Sequence, residues 1–457
     1  MSPAGRGVEE VDAVVLGLGP GGEDVAGRLA GAGLSVVAID QLLVGGECPY
    51  WGCVPSKAMV RAADLLAEVG RAGRLSGESS VVADWAPVAG RVRELTAGWD
   101  DAEAVERLEA KGATFVRGHG RLVGPREVAV GDRTFRAGRA LVLATGCQPV
   151  VPPVPGLDGV PFWTNRQAIE CEHLPGSMVV LGGGAVGLEL AQVFARFGTA
   201  VSVVEAAPRL LAGEEPESSE LLGRILAGDG IELHTGVSAS SARLDGRQIV
   251  LRWDGGGVAG ERLLVAAGRR PDLAAIGAAA AGVDEGGKAV PVDGRLRVAP
   301  GVWAVGDVTG VGAFTHVAMY QAGIAAADIL GRDPAPADYR ALPRVTFTDP
   351  EIGAVGRTED QARRDGLDVR VGSADVGASA RGWIHGPGGD GFIKLVEDAR
   401  RGVLVGATSA GPSGGEVLGL LALAVHAEVP VDRLARMIYA YPTFHRTIES
   451  AVGDLTA

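Results

Sequence analysis

Residues 12–40 read DAVVLGLGPGGEDVAGRLAGAGLSVVAID. An apolar strand runs to Leu16, glycines follow at Gly17, Gly19 and Gly22, a helical stretch extends to about Ala32, and a second apolar strand ends on Asp40. That order is the one a βαβ unit needs to hold a dinucleotide. The first glycine allows the tight turn, the second lets backbone approach a pyrophosphate, and the third lets helix and strand pack closely. The helix N-terminus faces the phosphates, and the terminal acid sits where a ribose hydroxyl is held. Residues 178–205, MVVLGGGAVGLELAQVFARFGTAVSVVE, repeat the plan with Gly182, Gly184, Gly187 and Glu205, at the same spacing from first glycine to acid. A lone GxGxxG is weak in a chain with 71 glycines, but each copy has its strand, helix and acid in place. Two dinucleotide sites are expected.

The rest of the chain is consistent with a globular enzyme. Its 457 residues leave room for two to four domains, and 47% hydrophobic with 22% charged residues is ordinary for such a protein. A net charge of −13 argues against a large nucleic-acid or anionic-lipid surface. The start, MSPAGRGVEEVD, lacks an apolar signal core, and the apolar run at 417–425 is too short for a bilayer and reads as a buried helix. A cytoplasmic protein is expected. Residues 56–112 read as two long helices, the second spanning WAPVAGRVRELTAGWDDAEAVERLEAKG, and PVVPPVPG at 149–156 reads as a linker. From about Pro343 the pattern changes to strand runs followed, from Gly414, by helices, so a separate α+β domain is expected.

Cys48 and Cys53 lie in GGECPYWGCVPSKAM, directly after the first βαβ unit, and a helix beginning near Val54 carries Lys57. A disulfide can close so small a loop, and a helix N-terminus stabilises a thiolate. The competing readings are a zinc half-site, for which no second Cys/His pair with ligand spacing exists, and two inert thiols. Cys147 and Cys171 have no close sequence partner and read as packing residues.

With these residues laid out, the chain resembles the class I pyridine nucleotide–disulfide oxidoreductases, the family of dihydrolipoyl dehydrogenase, glutathione reductase and mercuric reductase. The resemblance rests on both glycine motifs, the cysteine segment at 45–57, ATG at 144–146, AAGRRP at 266–271, AVGD at 304–307, FTDPEIGAVG at 347–356 and YPT at 441–443. It implies an α/β fold with two Rossmann-type dinucleotide-binding domains plus a C-terminal α+β dimerisation domain. The implied order is an FAD-binding domain (1–150), an NAD-binding domain (151–270), a central domain (271–342) and an interface domain (343–457), in a homodimer whose subunits share each active site. Carried over by residue, Gly17, Gly19, Gly22 and Asp40 would hold the ADP half of FAD, and Asp307 would contact its ribitol. Gly46, Thr145, Gly146 and Gly268 would join the cofactor-binding set. Lys57 would sit near the flavin, paired with Glu189. Cys53 would be the flavin-proximal thiol and Cys48 the thiol that attacks substrate. Glu205 would repel a 2′-phosphate, so NAD(H) is expected over NADP(H). Arg209 could soften that preference or simply pair with Glu205.

The chain departs from the family at its C-terminal motif. Where the family has HPTxxE, with a histidine acid/base from the partner subunit, this chain reads YPTFHR, placing Tyr441 and Arg446 at the histidine and glutamate positions. An unperturbed phenol is a poor base near neutral pH. His445, with Glu449 four residues on along an expected helix, is the alternative base. Mercuric reductases lack the histidine too but add a vicinal cysteine pair near the C-terminus, where this chain reads AVGDLTA. Tyr50 and Trp51 either narrow the disulfide pocket or pack into the flavin domain. The leading expectation is electron transfer from NADH through FAD and the Cys48–Cys53 disulfide to a small disulfide, or the reverse dithiol oxidation. The alternatives are a reductase of quinones, metal ions or other acceptors, and a non-catalytic redox sensor.

Overall fold

The computed structural model describes residues 7–456; residues 1–6, on which part of the signal-segment reading fell, lie outside it. The chain divides into two compact units, the first formed by 1–55, 93–150 and 269–338 and the second by 56–92, 151–268 and 339–457. Among the described residues no helix is long and apolar enough to cross a membrane.

In the first unit, β1 (Glu9–Leu16), α1 (Pro20–Gly31) and β2 (Val36–Asp40) form the expected βαβ. β1 pairs in parallel with β2 on one side and with strand Arg133–Leu143 on the other, in an eight-stranded sheet. Leu16 is in register with both Ile39 and Leu143, and Leu143 with Ala304. Gly17, Asp40, Ala144 and the Val305–Asp307 turn therefore leave the sheet along one edge, the carboxyl ends of parallel strands, where α/β sheets bind ligands. Leu18, Val25, Leu29 and Ile39 are wholly buried beneath it.

Helix α2 (Cys53–Arg71) begins at the second cysteine. The second long helix expected before Gly112 does not exist as one piece. It breaks into Ala86–Leu95 and Ala102–Glu109 around Ala97, Gly98 and Trp99, all at positive φ. The break turns the Trp99 indole N–H onto the Tyr50 carbonyl at 3.2 Å, a contact that an unbroken helix would not provide.

In the second unit, β3 (Ser177–Leu181), α3 (Ala185–Arg196) and β4 (Ala200–Glu205) repeat the βαβ in a five-stranded sheet. Leu181 is in register with Val204 and Val265, so Gly182, Glu205 and Ala266 share an edge. The C-terminal part is an antiparallel five-stranded sheet, including a strand, Glu351–Gly356, that the sequence reading had not separated. Helices Gly414–His426 and Thr447–Thr456 pack on it. The 417–425 run is helical, but only Leu418, Leu421, Ala424 and Val425 are buried and Leu423 is exposed, so it presents one buried face rather than a buried cylinder.

Candidate functional site

The three glycines of each motif prove to have two different reasons for being glycine. A Cβ on Gly17 would lie 2.4 Å from the Ala144 carbonyl oxygen, and one on Gly22 would lie 2.0 Å from the Gly17 oxygen. The second copy matches: Gly182 would meet the Ala266 oxygen at 2.3 Å and Gly187 the Gly182 oxygen at 2.4 Å. These four are required by the fold's own packing. Gly19 and Gly184 have nothing within 4 Å of a Cβ and ordinary φ of −63° and −86°, so no neighbour among the described residues requires them. Open space over a helix N-terminus is what a pyrophosphate needs, and the residues fit the ADP half of FAD in the first unit and a nicotinamide nucleotide in the second. Gly46, at φ +67°, brings its own backbone against Gly19, where a Cβ would lie 2.7 Å from the Gly19 Cα.

The two terminal acids also match. Asp40 accepts the Leu18 and Leu42 N–H groups at 2.6 and 2.7 Å, and Glu205 accepts those of Gly183 and Ala207 at 2.5 and 2.6 Å. Each carboxylate thus braces its glycine turn. Burial pushes the Asp40 carboxyl above its usual range, with the two backbone donors opposing it. Arg209 does not pair with Glu205. Its guanidinium donates to the carbonyls of Leu211, Ala212 and Glu214 and to the Ser219 hydroxyl, closing its own loop.

Thr145 and Gly146 follow Ala144 at the ligand edge, and a Cβ on Gly17 would also meet the Thr145 Cα. Asp307 starts a short 3-10 turn after Gly306. Buried Gln321 accepts the Gly306 N–H at 2.7 Å, and the Thr309 hydroxyl donates to the Gly306 carbonyl at 2.8 Å. Gln321 escaped the sequence reading; its one signal was an amide inside an otherwise apolar helical stretch. Burial raises the Asp307 carboxyl, with Arg269 opposing. Gly268, at φ +107°, ends the AAG turn of the second unit with open space at its Cβ position.

Cys48 and Cys53 are brought together as thiols in hydrogen-bond contact. That contact first, and burial second, push the Cys48 thiol far above its ordinary value, with the Thr315 hydroxyl opposing them. Cys53 opens α2 and lies 3.6 Å from the hydroxyl of Thr315, itself the first residue of the helix Thr315–Ile329. Two helix N-termini and a hydroxyl favour an anionic sulfur there. Thr315 is far away in sequence and carries no local signal. Tyr50 and Trp51 are buried, their ring centroids 5.9 Å apart and their planes tilted by 56°, packing into the first unit. Cys147 and Cys171 are buried too; burial first, then the Asp307 charge, raises the Cys147 thiol to about 11.

Lys57, one turn after Cys53 on α2, donates to Glu189 of α3 at 2.5 Å and lies 4.7 Å from the Phe347 ring centroid. The other Glu189 oxygen accepts the Phe347 N–H at 2.8 Å. Further along α2, Asp64 pairs with Arg196 at 2.9 Å, yet burial and the neighbouring Asp349 charge raise its carboxyl to about 6. A carboxylate whose folded value exceeds its unfolded one costs stability as pH rises, because the folded state alone must surrender a bound proton. The loss develops between roughly pH 4 and 6 and persists above. Asp64→Asn should therefore gain melting temperature relative to the native chain between pH 5 and 7.5. A pH-independent difference between the two melting curves would contradict this.

The C-terminal motif differs from its expected geometry. His445 sits in a 3-10 turn, Phe444–Arg446, ahead of the helix rather than on it. Glu449 pairs with Arg446 at 2.8 Å, and no hydrogen bond joins it to His445 among the described residues. Arg446 also lies 5.4 Å from the ring centroid of Tyr441, which is 69% exposed. Nearby large apolar side chains are bare in the single chain, Ile438 at 96% and Trp383 at 83% exposure.

Residues 11–322 match the family described as "Pyridine nucleotide-disulphide oxidoreductase", and residues 342–452 match its dimerisation domain. A dihydrolipoyl dehydrogenase from Thermus scotoductus is 34% identical, with 97% of each chain covered. A mercuric reductase from Acidithiobacillus ferrooxidans is 32% identical over 98% of this chain and 83% of its own. The HOCl-induced flavoprotein disulfide reductase RclA from Escherichia coli, in a Cu(II) complex, superposes with a TM-score of 0.86 at 27% identity, covering 98% of this chain and 99% of that one. With two glycine cradles, a contacting thiol pair and a dimerisation domain, the chain belongs to the pyridine nucleotide–disulphide oxidoreductases and is an FAD-dependent disulfide oxidoreductase of that family.

Proposed function

We propose that this protein is a cytoplasmic homodimer that uses NADH to reduce a small disulfide by way of FAD and the Cys48–Cys53 pair, or runs the same route in reverse. The observation that carries it is the contacting thiol pair, with Cys53 placed at two helix starts. Residues 1–150 would bind FAD, 151–270 the nicotinamide nucleotide, 271–342 would complete the flavin site, and 343–457 would form the dimer interface. Bound FAD supplies two-electron transfer between nicotinamide and disulfide.

The chain's own residues do the rest. Lys57, held by Glu189, would place a positive charge near the flavin. Once the pair is reduced, Cys48 gives up its proton and attacks one sulfur of the substrate disulfide, and the first thiolate leaves. Cys53 thiolate then attacks the Cys48 sulfur, reforming the enzyme disulfide and expelling the second thiolate. The two leaving thiolates take up two protons, one of them the proton Cys48 released and the other from solvent, and Tyr441 of the partner subunit, the exposed residue at the acid/base position, delivers them to the leaving sulfurs. Glu449, the carboxylate expected to orient His445, pairs with Arg446 instead.

Glu205 with Arg209 turned away supports NADH as the donor. Anaerobic titration with NADH and NADPH, followed by the visible flavin spectrum, tests both parts. NADH should raise a long-wavelength thiolate-to-flavin band at much lower concentration than NADPH does. Glu205→Gln keeps one of the turn's two acceptor oxygens and removes the charge, and should narrow the NADH preference by about tenfold, the factor carried by roughly 1.4 kcal/mol. Flavin bleaching with no such band would take the cysteines out of the electron path, and equal response to NADPH would remove the donor assignment.

A further inference from the structure

Helix α3 carries a buried polar face that runs beyond Glu189. Glu189, Gln192 and Arg196 recur at helical spacing on it, each with a side chain almost wholly inaccessible. Gln192 makes a two-point clamp on the backbone of one residue. Its Oε1 accepts the Asp349 N–H at 2.8 Å, and its Nε2 donates to the Asp349 carbonyl at 2.9 Å. The same Nε2 reaches the Asp229 carboxylate at 2.9 Å. Asp349 is further held through its side chain by Arg196 at 2.8 Å and Arg71 at 2.6 Å.

The clamp acts on the turn that serves Lys57. Phe347, two residues before Asp349, gives its N–H to Glu189 and its ring to the Lys57 ammonium. Glu189 has two oxygens, one held by Phe347 and one by Lys57, so the carboxylate's orientation depends on where Phe347 sits. Released from Gln192, the turn is free to shift, Glu189 loses a fixed donor, and the Lys57 ammonium moves with it. We infer that Gln192 is a positioning residue for Lys57, acting through the Phe347–Asp349 turn and Glu189. This rests on the reading that Lys57 stands beside the flavin.

A buried glutamine with every polar atom satisfied also stabilises the fold, so the test needs a readout that stability alone does not move. In the FAD-loaded dimer, Gln192→Leu should shift the long-wavelength band of the NADH-reduced protein. It should lower kcat about tenfold to a hundredfold, the scale of ångström-size misplacement of a catalytic group, with KM for NADH little changed. Gln192→Glu keeps an acceptor for the Asp349 N–H and should give an intermediate shift; it decides the matter if the leucine variant does not fold. Asp229→Asn leaves the clamp on Asp349 and should lower melting temperature with the spectrum unmoved. Lys57→Met separates the two layers. If it shifts the band and neither Gln192 variant does, the positioning role is overturned while the Lys57 reading stands. If Lys57→Met leaves the band in place, that reading falls and this inference with it.

Discussion

Cys48→Ser should show a long-wavelength flavin band in the fully oxidised protein, before any reductant is added, while Cys53→Ser should show none under any condition. The asymmetry follows from placement. Cys53 opens α2, faces the start of the helix Thr315–Ile329 and lies 3.6 Å from the Thr315 hydroxyl. Freed from its disulfide partner, it retains the environment of a thiolate. Both variants should lose disulfide-linked turnover by on the order of a thousandfold or more, as expected when a covalent relay loses one member. In the native chain, the Cys48 thiol lies well above its ordinary value through its contact with Cys53 and through burial. Interchange should accordingly accelerate as pH rises, because the attacking form is the thiolate. Stopped-flow reoxidation by a small disulfide, monitored across pH 6–9, checks the sign. A rate that falls with increasing pH, or a Cys53→Ser protein that keeps the band, would reverse the assignment of the two sulfurs.

The second large effect separates folding from binding within one motif. Gly22→Ala places a methyl 2.0 Å from the Gly17 carbonyl oxygen and 2.9 Å from the Ala144 Cβ, with backbone on one side and no rotamer to relieve it. Overpacking of this kind costs more than about 3 kcal/mol when the neighbour is backbone, and little folded protein should be recovered. Gly19→Ala, at φ −63° with open space around the new methyl, should fold with a near-native circular dichroism spectrum yet purify colourless. The second cradle predicts the same division: Gly187→Ala should fail to fold, whereas Gly184→Ala should be yellow, folded and unable to respond to NADH. Should Gly19→Ala retain FAD at full occupancy, the first cradle is not the flavin's.

The βαβ units were legible because they make local demands on residue type. A turn at φ +92° or +122°, as at Gly17 and Gly182, excludes side chains, and alternating apolar runs mark the strands on either side. The cysteine pair was legible for the same reason, since four intervening residues already bring the sulfurs within reach. The broken helix at Ala97–Trp99 was not, although Gly98 and the Asp100 side chain, which accepts the Ala102 N–H at 2.9 Å, mark the break locally, and its outcome, Trp99 against the distant Tyr50 carbonyl, carries no local signal.

Side-chain direction lay beyond the sequence altogether. Spacing offered Glu449 to His445, but an extra 3-10 turn rotates His445 away and Arg446 takes the carboxylate. Arg209 stood close to Glu205 in the chain, yet three carbonyls of its own loop and the Ser219 hydroxyl claim its guanidinium. Thr315 at Cys53, Phe347 at Glu189 and Gln192 at Asp349 join residues more than a hundred positions apart. Periodicity and motif spacing report contacts a few residues along one element, and these determined the fold, the cofactor cradles and the redox pair. Contacts between elements depend on which face each helix buries and where each turn ends. The tertiary structure therefore decided which groups orient the chemistry.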